Sequence, residues 1–514
     1  MPSLSLLLPA GLATGHELAA TMRSVTGQPF GDWELVVAGS RTALGSIREI
    51  VRGDGRVRLV ALDEAAGPSR ELNAGVAAAR GEHGLLLHPG GALAEDALGT
   101  LAQAVAEDPG IDIWYGDQAE LDAAGAVRAE RLKPDWSPVF CLGSRYVGDV
   151  FAVRLSLCRD VPFLPEYDGV ERYELLLRAS ERGARVGRIP RVLTRVPAAG
   201  DPHAAIRREP LQQRAAAAHL ARLGRSWRLR PEGRYPGRLL IKAGRDTQCP
   251  SVSIVIPTRD QGAVVERCLR SIYALTDYPD FEVVVVDNRT VDGVAKAAFA
   301  RFPVVHVRYD EDRFNYSAAN NLGVSRSRGE LVLFLNNDTE IVEPDWLRDL
   351  VLFFEDPEIG AIGPTLLYPN GAVQHAGVVL GSRGTADHAM RHLPGDGEGP
   401  DGALVVAREV SAVTAACLMT PRRLFDELGG FSTDYAAHYQ DLDLCLKIRR
   451  SGRRIISAGF PRVVHHESLS RGGDGYDQGD RALLIDAWRE VIAAGDPYYH
   501  PRLDLARLDF TPAA

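Results

Sequence analysis

The chain contains two copies of one sequence pattern, and this repeat constrains its fold more than any other feature. Residues 3–9 and 251–257 are short apolar segments that both end in proline, 248 positions apart. The same offset relates further landmarks, namely residues 33–37 with 281–285, 73–75 with 321–323, 80–82 with 328–330 and 107–109 with 355–357. Later landmarks are 269 positions apart, so the second copy holds 21 extra residues between Glu358 and Gln440. A register kept over so many landmarks predicts two homologous domains in tandem.

Each copy begins with the pattern of an α/β domain. An apolar strand is followed by a helix-patterned segment and then by a second apolar strand, an alternation that predicts a mainly parallel sheet. We therefore expect a first domain at residues 1–200 and a second at 249–514, the latter with a helical C-terminal tail. Residues 201–248 are expected to form a linker with a helical first part and a hairpin of short apolar pieces, which proline and glycine interrupt.

The two copies differ at the ends of their predicted strands. Residues 331–335 form an apolar run typical of a strand buried on both faces, and polar residues follow it. The polar positions of the second copy and their first-copy counterparts are Asp287 and Gly39, residues 336–338 and 88–90, and Asp441 and Arg172. The first copy keeps the apolar segments but lacks these acidic residues. We interpret the difference as loss of a metal–nucleotide site from the first copy, in preference to random divergence of a turn with a structural role.

Asp338 is the candidate metal ligand. In open α/β sheets ligands bind outside the carboxyl ends of the strands, and a carboxylate there suits a hard divalent cation that takes other ligands from a substrate diphosphate. His465 or His466, which follow a strand-like segment, would supply a neutral imidazole to the same cation. The alternative at each place is a plain polar turn, and spacing does not choose between the two histidines.

Asp441 is the candidate general base. The segment from Gln440 has the pattern of a helix that ends in basic residues and Gly452, so Asp441 lies in the first turn, where the helix dipole favours an ionised carboxylate. Positioned bases contribute roughly 10²–10⁴-fold to a rate. Asp443 is a candidate acceptor contact, and so is His375, which lies in the region of the extra residues. For each of them the alternative is a structural role.

Two further positions are candidates for donor binding. Asp287 ends the second strand of the second copy, where a carboxylate can accept hydrogen bonds from a base or a ribose. Asn320 or Asn321, in a helix capped by Asn315 or Ser317, is expected to face the same site. A turn aspartate and a capped amphipathic helix are the structural alternatives.

Composition and missing motifs argue against several function classes. The net charge of −9 argues against a general nucleic-acid binder. No GxGxxG follows a strand and no GxxxxGK[ST] occurs, which argues against a dinucleotide oxidoreductase and a P-loop NTPase. Six scattered cysteines without a CxxC pair fit reduced thiols, and the first residues lack the basic start of a signal peptide. No apolar run approaches the ~20 residues of a membrane-spanning helix, so we expect a cytoplasmic protein.

An ordered set of motifs in the second half resembles a known family. The matching segments, in family order, are 252–257 (VSIVIP), 286–288 (VDN), 314–323 (FNYSAANNLG), 335–339 (LNNDT), 373–377 (VQHAG), 429–431 (GGF), 440–443 (QDLD), 465–468 (HHES) and 496–499 (DPYY). Nearly all of residues 251–500 thus resembles a family 2 glycosyltransferase with the GT-A fold, a Rossmann-related α/β architecture. The likeness is greatest to tandem-domain bacterial enzymes of the O-antigen, rhamnan and capsule type. The first half resembles their N-terminal domain through residues 133–138 (KPDWSP), as a degenerate copy.

The resemblance implies a metal-dependent, inverting transfer of a sugar from a nucleotide-sugar donor to an acceptor hydroxyl, with Mn²⁺ or Mg²⁺ as cofactor. It assigns the base to Asp441 and the metal to Asp338 with His466 or His465. Donor contacts fall on Pro257, Thr258, Asp287, Asn320, Asn336 and Asn337, and acceptor contacts on His375 and Asp443. Two positions depart from the family pattern: the metal motif is Asn-Asn-Asp, and Gln440 stands where a glutamate is common.

The family's usual role is cell-surface polysaccharide or glycoconjugate assembly. The expected donor is a UDP-, dTDP- or GDP-sugar, and the acceptor is a glycan, a lipid-linked glycan or a small molecule, with contact to the inner face of the membrane left open. The alternative functions are a natural-product glycosyltransferase, a noncatalytic carbohydrate-binding scaffold and a sugar-nucleotide nucleotidylyltransferase. Residues 257–262 lack the glycine density that the first loop of a nucleotidylyltransferase has.

Overall fold

A computed structural model describes residues 2–11, 13–63, 66–122, 125–197, 204–466 and 478–513. The chain forms two compact units, Met1–Leu223 and Gly224–Ala514. The division falls inside residues 201–248, the segment predicted as a linker. A helix of that segment belongs to the first unit, and a two-stranded hairpin belongs to the second.

The first unit combines a sheet with helices along the whole of its described sequence. Its strands are β1 (Leu4–Pro9), β2 (Trp33–Ser40), β3 (Val57–Leu62), β4 (His83–Leu86), β5 (Ala92–Leu93), β6 (Ile113–Leu121), β7 (Val127–Arg131), β8 (Ala152–Arg154) and β9 (Val186–Pro197). Its α-helices are α1 (Gly15–Thr26), α2 (Arg41–Gly45), α3 (Pro68–Ala78), α4 (Ala97–Glu107), α5 (Pro138–Gly143), α6 (Leu155–Asp160), α7 (Glu171–Glu181) and α8 (Ala204–Arg222).

The second unit repeats this alternation after the hairpin. Its strands are β10 (Arg228–Pro231), β11 (Leu239–Lys242), β12 (Val252–Thr258), β13 (Phe281–Asp287), β14 (Val304–Arg308), β15 (Leu331–Leu335), β16 (Thr339–Ile341), β17 (Ile359–Leu367), β18 (Val373–His375), β19 (Val378–Leu380), β20 (Ala386–His388), β21 (Arg408–Val410), β22 (Cys417–Pro421) and β23 (Arg454–His465). Its α-helices are α9 (Gly262–Leu275), α10 (Gly293–Arg301), α11 (Tyr316–Ser325), α12 (Trp346–Val351), α13 (Arg422–Glu427), α14 (Gln440–Arg450) and α15 (Gln478–Ala493). None of the helices described in either unit combines the length and the apolar character that crossing a membrane requires.

The same strand order recurs in both units. The order is β3-β2-β1-β4-β8-β6-β9-β5 in the first sheet and β14-β13-β12-β15-β22-β17-β23-β16 in the second, so each strand has a counterpart at the same place. The first four strands of each order pair in parallel, namely β3, β2, β1 and β4 in the first sheet and β14, β13, β12 and β15 in the second. Strand β8 and its counterpart β22 run antiparallel to both of their neighbours. The predicted α/β class, with two tandem domains of one topology and mainly parallel sheets, is confirmed.

One hydrogen-bonded clamp also recurs in both units. The side-chain amide of Asn73 donates to the carbonyl of Phe163 at 2.8 Å and accepts from its N–H at 2.9 Å. Asn321 makes the same two bonds with the backbone of Phe431, at 2.8 and 3.1 Å. Both asparagines lie at matching positions of the repeat, so Asn321 serves the fold of its unit and Asn73 does the same in the other copy. Each hydrogen bond of this kind contributes about 0.5–1.5 kcal/mol to the stability of the fold.

Strand β15 is the buried strand that the sequence predicted. All five of its residues are buried. Phe334 packs against Phe425 and Phe431, with ring centroids 5.2 and 4.5 Å apart. Full burial of one such side chain stabilises a fold by roughly 1.5–3 kcal/mol. The packed strand fixes the position at which Asn336 leaves the sheet.

Candidate active site

The carboxyl ends of three parallel strands meet at one edge of the second sheet. Thr258 ends β12, Asp287 ends β13, and Asn337 follows β15. The Asn337 side chain donates to the Thr258 hydroxyl at 2.9 Å, so the ends of β12 and β15 are tied together. This edge is where ligands bind in open α/β sheets. Pro257 lies one residue earlier, buried within β12.

Asp287 is an ionised carboxylate at this edge. It accepts from the N–H of Thr290 at 2.8 Å, and its other oxygen lies 2.9 Å from His306 Nε2. Burial raises the pKa of Asp287, but the hydrogen bonds from Thr290 and His306 outweigh that effect and hold the pKa below its ordinary value. The charge is therefore present at neutral pH, as a contact to a base or a ribose requires.

Asp338 and His465 form the pair that fits a divalent cation. The carboxylate Oδ1 lies 3.0 Å from His465 Nε2, and both side chains are buried. The other ring nitrogen, Nδ1, donates to the side-chain oxygen of Gln374 at 2.9 Å, which turns the lone pair of a neutral imidazole toward Asp338. The Asn336 amide, 3.3 Å from Nε2, is placed to donate to that same lone pair. Two electron-pair donors face each other, and a shared cation or a proton must lie between them.

The donor set also matches the preferences of a hard cation that a substrate helps to hold. Within the described ranges, no group of three or more His, Cys, Asp or Glu side chains could enclose a metal. One carboxylate and one imidazole leave most coordination positions to water and phosphate oxygens, as Mg²⁺ and Mn²⁺ sites at nucleotides commonly do. Asp338 and His465 would hold the ion, with Gln374 orienting the imidazole.

His466 is placed differently from its neighbour. Its Nε2 lies 2.9 Å from Glu340, and its Nδ1 is 3.0 Å from the Arg267 guanidinium on α9. Its backbone N–H donates to the carbonyl of Asp338 at 2.9 Å. Of the two predicted histidines, the structure thus brings only His465 to the Asp338 carboxylate. The rest of the predicted 465–468 motif lies outside the described residues.

A chain of hydrogen bonds joins this pair to the candidate base. The Tyr316 hydroxyl lies 3.2 Å from both the Asn336 side-chain oxygen and the Ala415 carbonyl. The N–H of Ala415 in turn donates to Asp441 at 3.0 Å. Asn336 also reaches His465, so one continuous set of contacts spans the opening between Asp441 and the metal pair. Tyr316 and Gln374 were not expected from the sequence, although both lie inside motifs that it displays.

Asp441 lies in the first turn of α14, as predicted. Its side chain is partly exposed, and it accepts from the N–H groups of Ala415 and Leu442 at 3.0 and 2.8 Å. These two bonds hold the carboxylate in one orientation at the start of the helix. An exposed, oriented carboxylate is able to take a proton from a bound hydroxyl.

Asp443 points into the protein. It is 4% exposed, accepts from Trp488 Nε1 at 2.9 Å and forms an ion pair with Lys447 at 2.6 Å. The bond to Trp488 attaches α15 to α14, so Asp443 has a packing role and no surface for an acceptor.

Another predicted donor-site residue, Asn320, is buried away from the strand edge. Asn320 is 0% exposed and donates to the carbonyl of Tyr316, one turn earlier in α11, at 2.9 Å. Asn315 caps that helix by accepting from the N–H of Ala318, which confirms one of the two caps expected. The structure therefore places Asn320 in the packing of α11 and not at the strand edge.

His375 and His388 form a buried imidazole pair beside the site. Their Nδ1 atoms are 3.3 Å apart, and His375 is 1% exposed, which leaves it no surface for an acceptor. The N–H groups of Gly377 and Thr414 point at His375 Nε2, so that nitrogen carries no proton and Nδ1–H donates to His388. Burial lowers the pKa of both rings, and the nearby His388 and Arg408 side chains lower the pKa of His375 further.

The lowered pKa values predict an acid-sensitive fold. Below about pH 6.5 the unfolded chain binds a proton on each ring, whereas the folded chain does not. Stability is therefore lost as the pH falls from about 6.5 toward the lowered folded values. We expect the thermal midpoint of the full chain to drop between about pH 7.5 and pH 5.5, and His375→Gln to make that drop smaller. His16→Gln, a change at an exposed ring, is the matched control; an equal drop in all three proteins would contradict the assignment.

In the first unit, an arginine side chain fills the position equivalent to that of Asp441. Arg172, the counterpart of Asp441, is buried and donates to the carbonyl of Leu87 at 2.7 Å and to the carbonyl of Asp149. Leu87 is the counterpart of Leu335, the last residue of β15. A guanidinium hydrogen-bonded to the strand end stands where the second unit has its opening. The first copy thus lacks the acidic residues, and the Arg172 side chain occupies the equivalent position.

Comparisons with known proteins find similar sequences in one family and in bacterial relatives. Residues 253–428 match the model of Glycosyl transferase family 2. The chain is 34% identical over 530 residues to O-antigen biosynthesis protein RfbC of Myxococcus xanthus, an alignment that covers 99% of this chain and 41% of that protein. It is 33% identical over 534 residues to the uncharacterized protein y4gI of Sinorhizobium fredii, covering 99% and 58%. It is 26% identical over 251 residues to N-acetylglucosaminyl-diphospho-decaprenol L-rhamnosyltransferase of Mycobacterium tuberculosis, covering 43% and 78%.

The chain thus spans about half the length of the two relatives that it matches from end to end. The family match lies entirely in the second unit, and it contains the strand edge with Thr258, Asp287 and Asp338. The site described above is therefore in the unit that carries the family's pattern. Residues 253–428 of the second unit are thus similar to glycosyl transferase family 2.

Proposed function

We propose that the second unit transfers a sugar, with inversion, from a nucleotide-sugar donor to an acceptor hydroxyl in bacterial cell-surface polysaccharide assembly. The observation that carries this proposal is the continuous set of contacts from Asp441 to the Asp338–His465 pair. The proposal assigns the base to Asp441 and the metal to the Asp338–His465 pair, at the two ends of this set of contacts. The name of the O-antigen relative supports the polysaccharide role, and that of the rhamnosyltransferase relative supports a deoxyhexose donor.

Donor binding uses the strand edge. Asp287 is proposed to accept hydrogen bonds from the nucleoside, and Thr258 and Asn337 to line the path of the diphosphate. Asp338 and His465 would hold the divalent cation, which offsets the charge that grows on the departing diphosphate. Gln374 keeps the His465 imidazole in the orientation that binding needs.

Acceptor activation falls to Asp441. Its carboxylate takes the proton of the acceptor hydroxyl as that oxygen attacks the anomeric carbon from the face opposite the diphosphate. The N–H groups of Ala415 and Leu442 donate to the carboxylate and hold it in place. A single displacement of this kind inverts the anomeric configuration. We place the reaction in the cytoplasm, with contact to the inner membrane face when the acceptor is lipid-linked.

A transfer assay on the full chain tests the proposal. UDP-, dTDP- and GDP-sugars are each incubated with Mn²⁺ and a panel of glycan and lipid-linked acceptors, and release of the nucleoside diphosphate is measured. We expect release that needs one donor class and an acceptor, and that stops when EDTA removes the metal. Binding of glycans without release from any donor would favour the scaffold function. Release of pyrophosphate from a nucleoside triphosphate and a sugar phosphate would mark a nucleotidylyltransferase.

A further inference from the structure

Asp287, the proposed contact to the nucleoside, has a partner on the neighbouring strand. His306 lies on β14, the strand at one end of the second sheet, and its Nε2 is 2.9 Å from Asp287 Oδ2. We propose that His306 is a positioning residue, which holds the Asp287 carboxylate in the orientation that the nucleoside of the donor requires. The inference rests on the proposed sugar transfer. It adds a residue that acts on the donor only through Asp287.

The chemistry of the pair fixes the direction of this hydrogen bond. Asp287 is ionised, so its two oxygens only accept. Nε2 of His306 therefore carries a proton, whether the ring is neutral or cationic. Oδ1 of the same carboxylate accepts from the N–H of Thr290 at 2.8 Å. Each oxygen thus has one donor from the protein and keeps a further acceptor position for a base or a ribose.

The backbone of Asp287 is held without the help of His306. The N–H of Asn288 donates to the carbonyl of Thr258 at 2.9 Å, and the N–H of Tyr309 donates to the carbonyl of Asp287 at 2.9 Å. Loss of the imidazole therefore leaves the end of the strand in place. It removes one of the two bonds that restrict rotation of the carboxylate. A ligand must then order that side chain when it binds, which lowers the affinity.

The His306 ring is itself restricted by a helix. Phe299 of α10 is buried, and its ring centroid lies 5.3 Å from that of His306. The imidazole thus packs on an aromatic ring and reaches the Asp287 carboxylate through Nε2. Its side chain is 43% exposed, and ion pairs this exposed contribute little to stability. We therefore assign the contact to ligand binding and not to the fold.

Both members of the pair are replaced in the first copy. In the pairing of β2 with β3, Leu59 has the place that His306 has in the pairing of β13 with β14. Gly39 has the place of Asp287. Leu59 packs against the apolar core of the first unit. The copy without the carboxylate is thus also without the histidine, as we expect if His306 serves Asp287.

Calorimetric titration of the full chain with two ligands, each with Mn²⁺, tests the proposal. The ligands are pyrophosphate and the nucleoside diphosphate, among UDP, dTDP and GDP, that the wild type binds. We expect His306→Leu to bind the nucleoside diphosphate about 5–10-fold more weakly, because a hydrogen bond to an ionised group is lost. Pyrophosphate has no nucleoside, so its affinity should be unchanged. His306→Gln, whose side-chain amide can donate in place of Nε2, should bind both ligands nearly as the wild type does.

Three further measurements separate positioning from a structural role. Val305→Ala changes the preceding, exposed residue of β14, whose side chain points to the other face, and should bind both ligands as the wild type does. In an Asp287→Ala background, His306→Leu should cause little further loss, because the histidine acts through the carboxylate. In the transfer assay, His306→Leu should raise the KM for the donor and leave kcat unchanged, because nucleoside contacts are the same in the ground and transition states.

The outcomes also separate this inference from the proposed function. A loss of affinity that is confined to the nucleoside diphosphate, and that glutamine restores, supports the role of His306. Equal nucleoside diphosphate affinity in the wild type and His306→Leu, or an equal loss for both ligands, overturns that role and leaves the sugar-transfer function standing. A wild type that binds none of the three nucleoside diphosphates with Mn²⁺ overturns both.

Discussion

The Asp441→Asn protein is expected to turn over about 10²–10⁴-fold more slowly than the wild type, with donor binding unchanged. The amide keeps the size of the side chain and can still accept from the N–H of Ala415, so the first turn of α14 stays in place. What it cannot do is take the proton of the acceptor hydroxyl. The loss should fall on kcat, measured with the donor identified in the transfer assay, and a KM for the donor near that of the wild type is expected.

Asp434→Asn is the matched control for this prediction. Asp434 is an exposed aspartate of the loop before α14, and its carboxylate accepts only from the nearby Ser432 hydroxyl at 3.1 Å among the contacts described. Its substitution should leave kcat unchanged. An Asp441→Asn protein as active as Asp434→Asn would remove Asp441 from the role of base.

The His465→Ala protein is expected to bind the Mn²⁺–nucleoside diphosphate complex at least about 10–100-fold more weakly, a loss found even for outer partners of a metal ligand. His465 Nε2 faces Asp338 and its other nitrogen is fixed by Gln374, so its removal takes away one of the two protein ligands. Calorimetric titration at fixed Mn²⁺ measures the effect.

His466→Ala is the matched control at the adjacent position. His466 contacts Glu340 and Arg267, on the outer side of the same strand pairing, and should not affect the affinity for the metal complex. A larger loss in His466→Ala than in His465→Ala would exchange the roles of the two residues. Equal, small losses in both would mean that no histidine holds the metal.

The spacing of residues in the sequence does not decide which of these two histidines faces the metal. Successive residues of a strand point to opposite faces, so the sequence predicts that only one of the two faces a given ligand. Which one does so depends on the pairing of β16 with β23, in which Thr339 stands opposite His465. That register depends on packing in the folded protein, so it cannot be predicted from the sequence near residue 465.

The fold was largely predictable from the sequence because the repeat itself indicates two domains of one topology. A constant offset of 248 over many landmarks required two copies of one topology, and the strand orders of the two sheets agree place by place. Strand ends were also predictable, since an apolar run followed by Asp287 or Asn336 marks the point where a buried strand reaches water. Side-chain roles that depend on packing between distant elements, such as those of Gln374 and Tyr316, were not.

Helix geometry would have corrected one expectation in advance. Residues two apart on a helix lie on nearly opposite faces, so Asp441 and Asp443 cannot both face the opening. The structure points Asp443 inward at Trp488 and leaves Asp441 at the site. Asn320 is the comparable case in α11, where it lies one turn after Tyr316 and bonds to its carbonyl.

The central claim, a metal-dependent nucleotide site at Asp338, is tested most directly by the thermal stability of the full chain with UDP, dTDP or GDP, each with and without Mn²⁺. A ligand at about 100 times its Kd adds about 2.7 kcal/mol to the stability of the folded state. We predict a rise in the unfolding midpoint with one base, only when Mn²⁺ is present, and its loss in Asp338→Ala. A rise that does not need the metal or survives in Asp338→Ala, or no rise with any of the three, would contradict the claim.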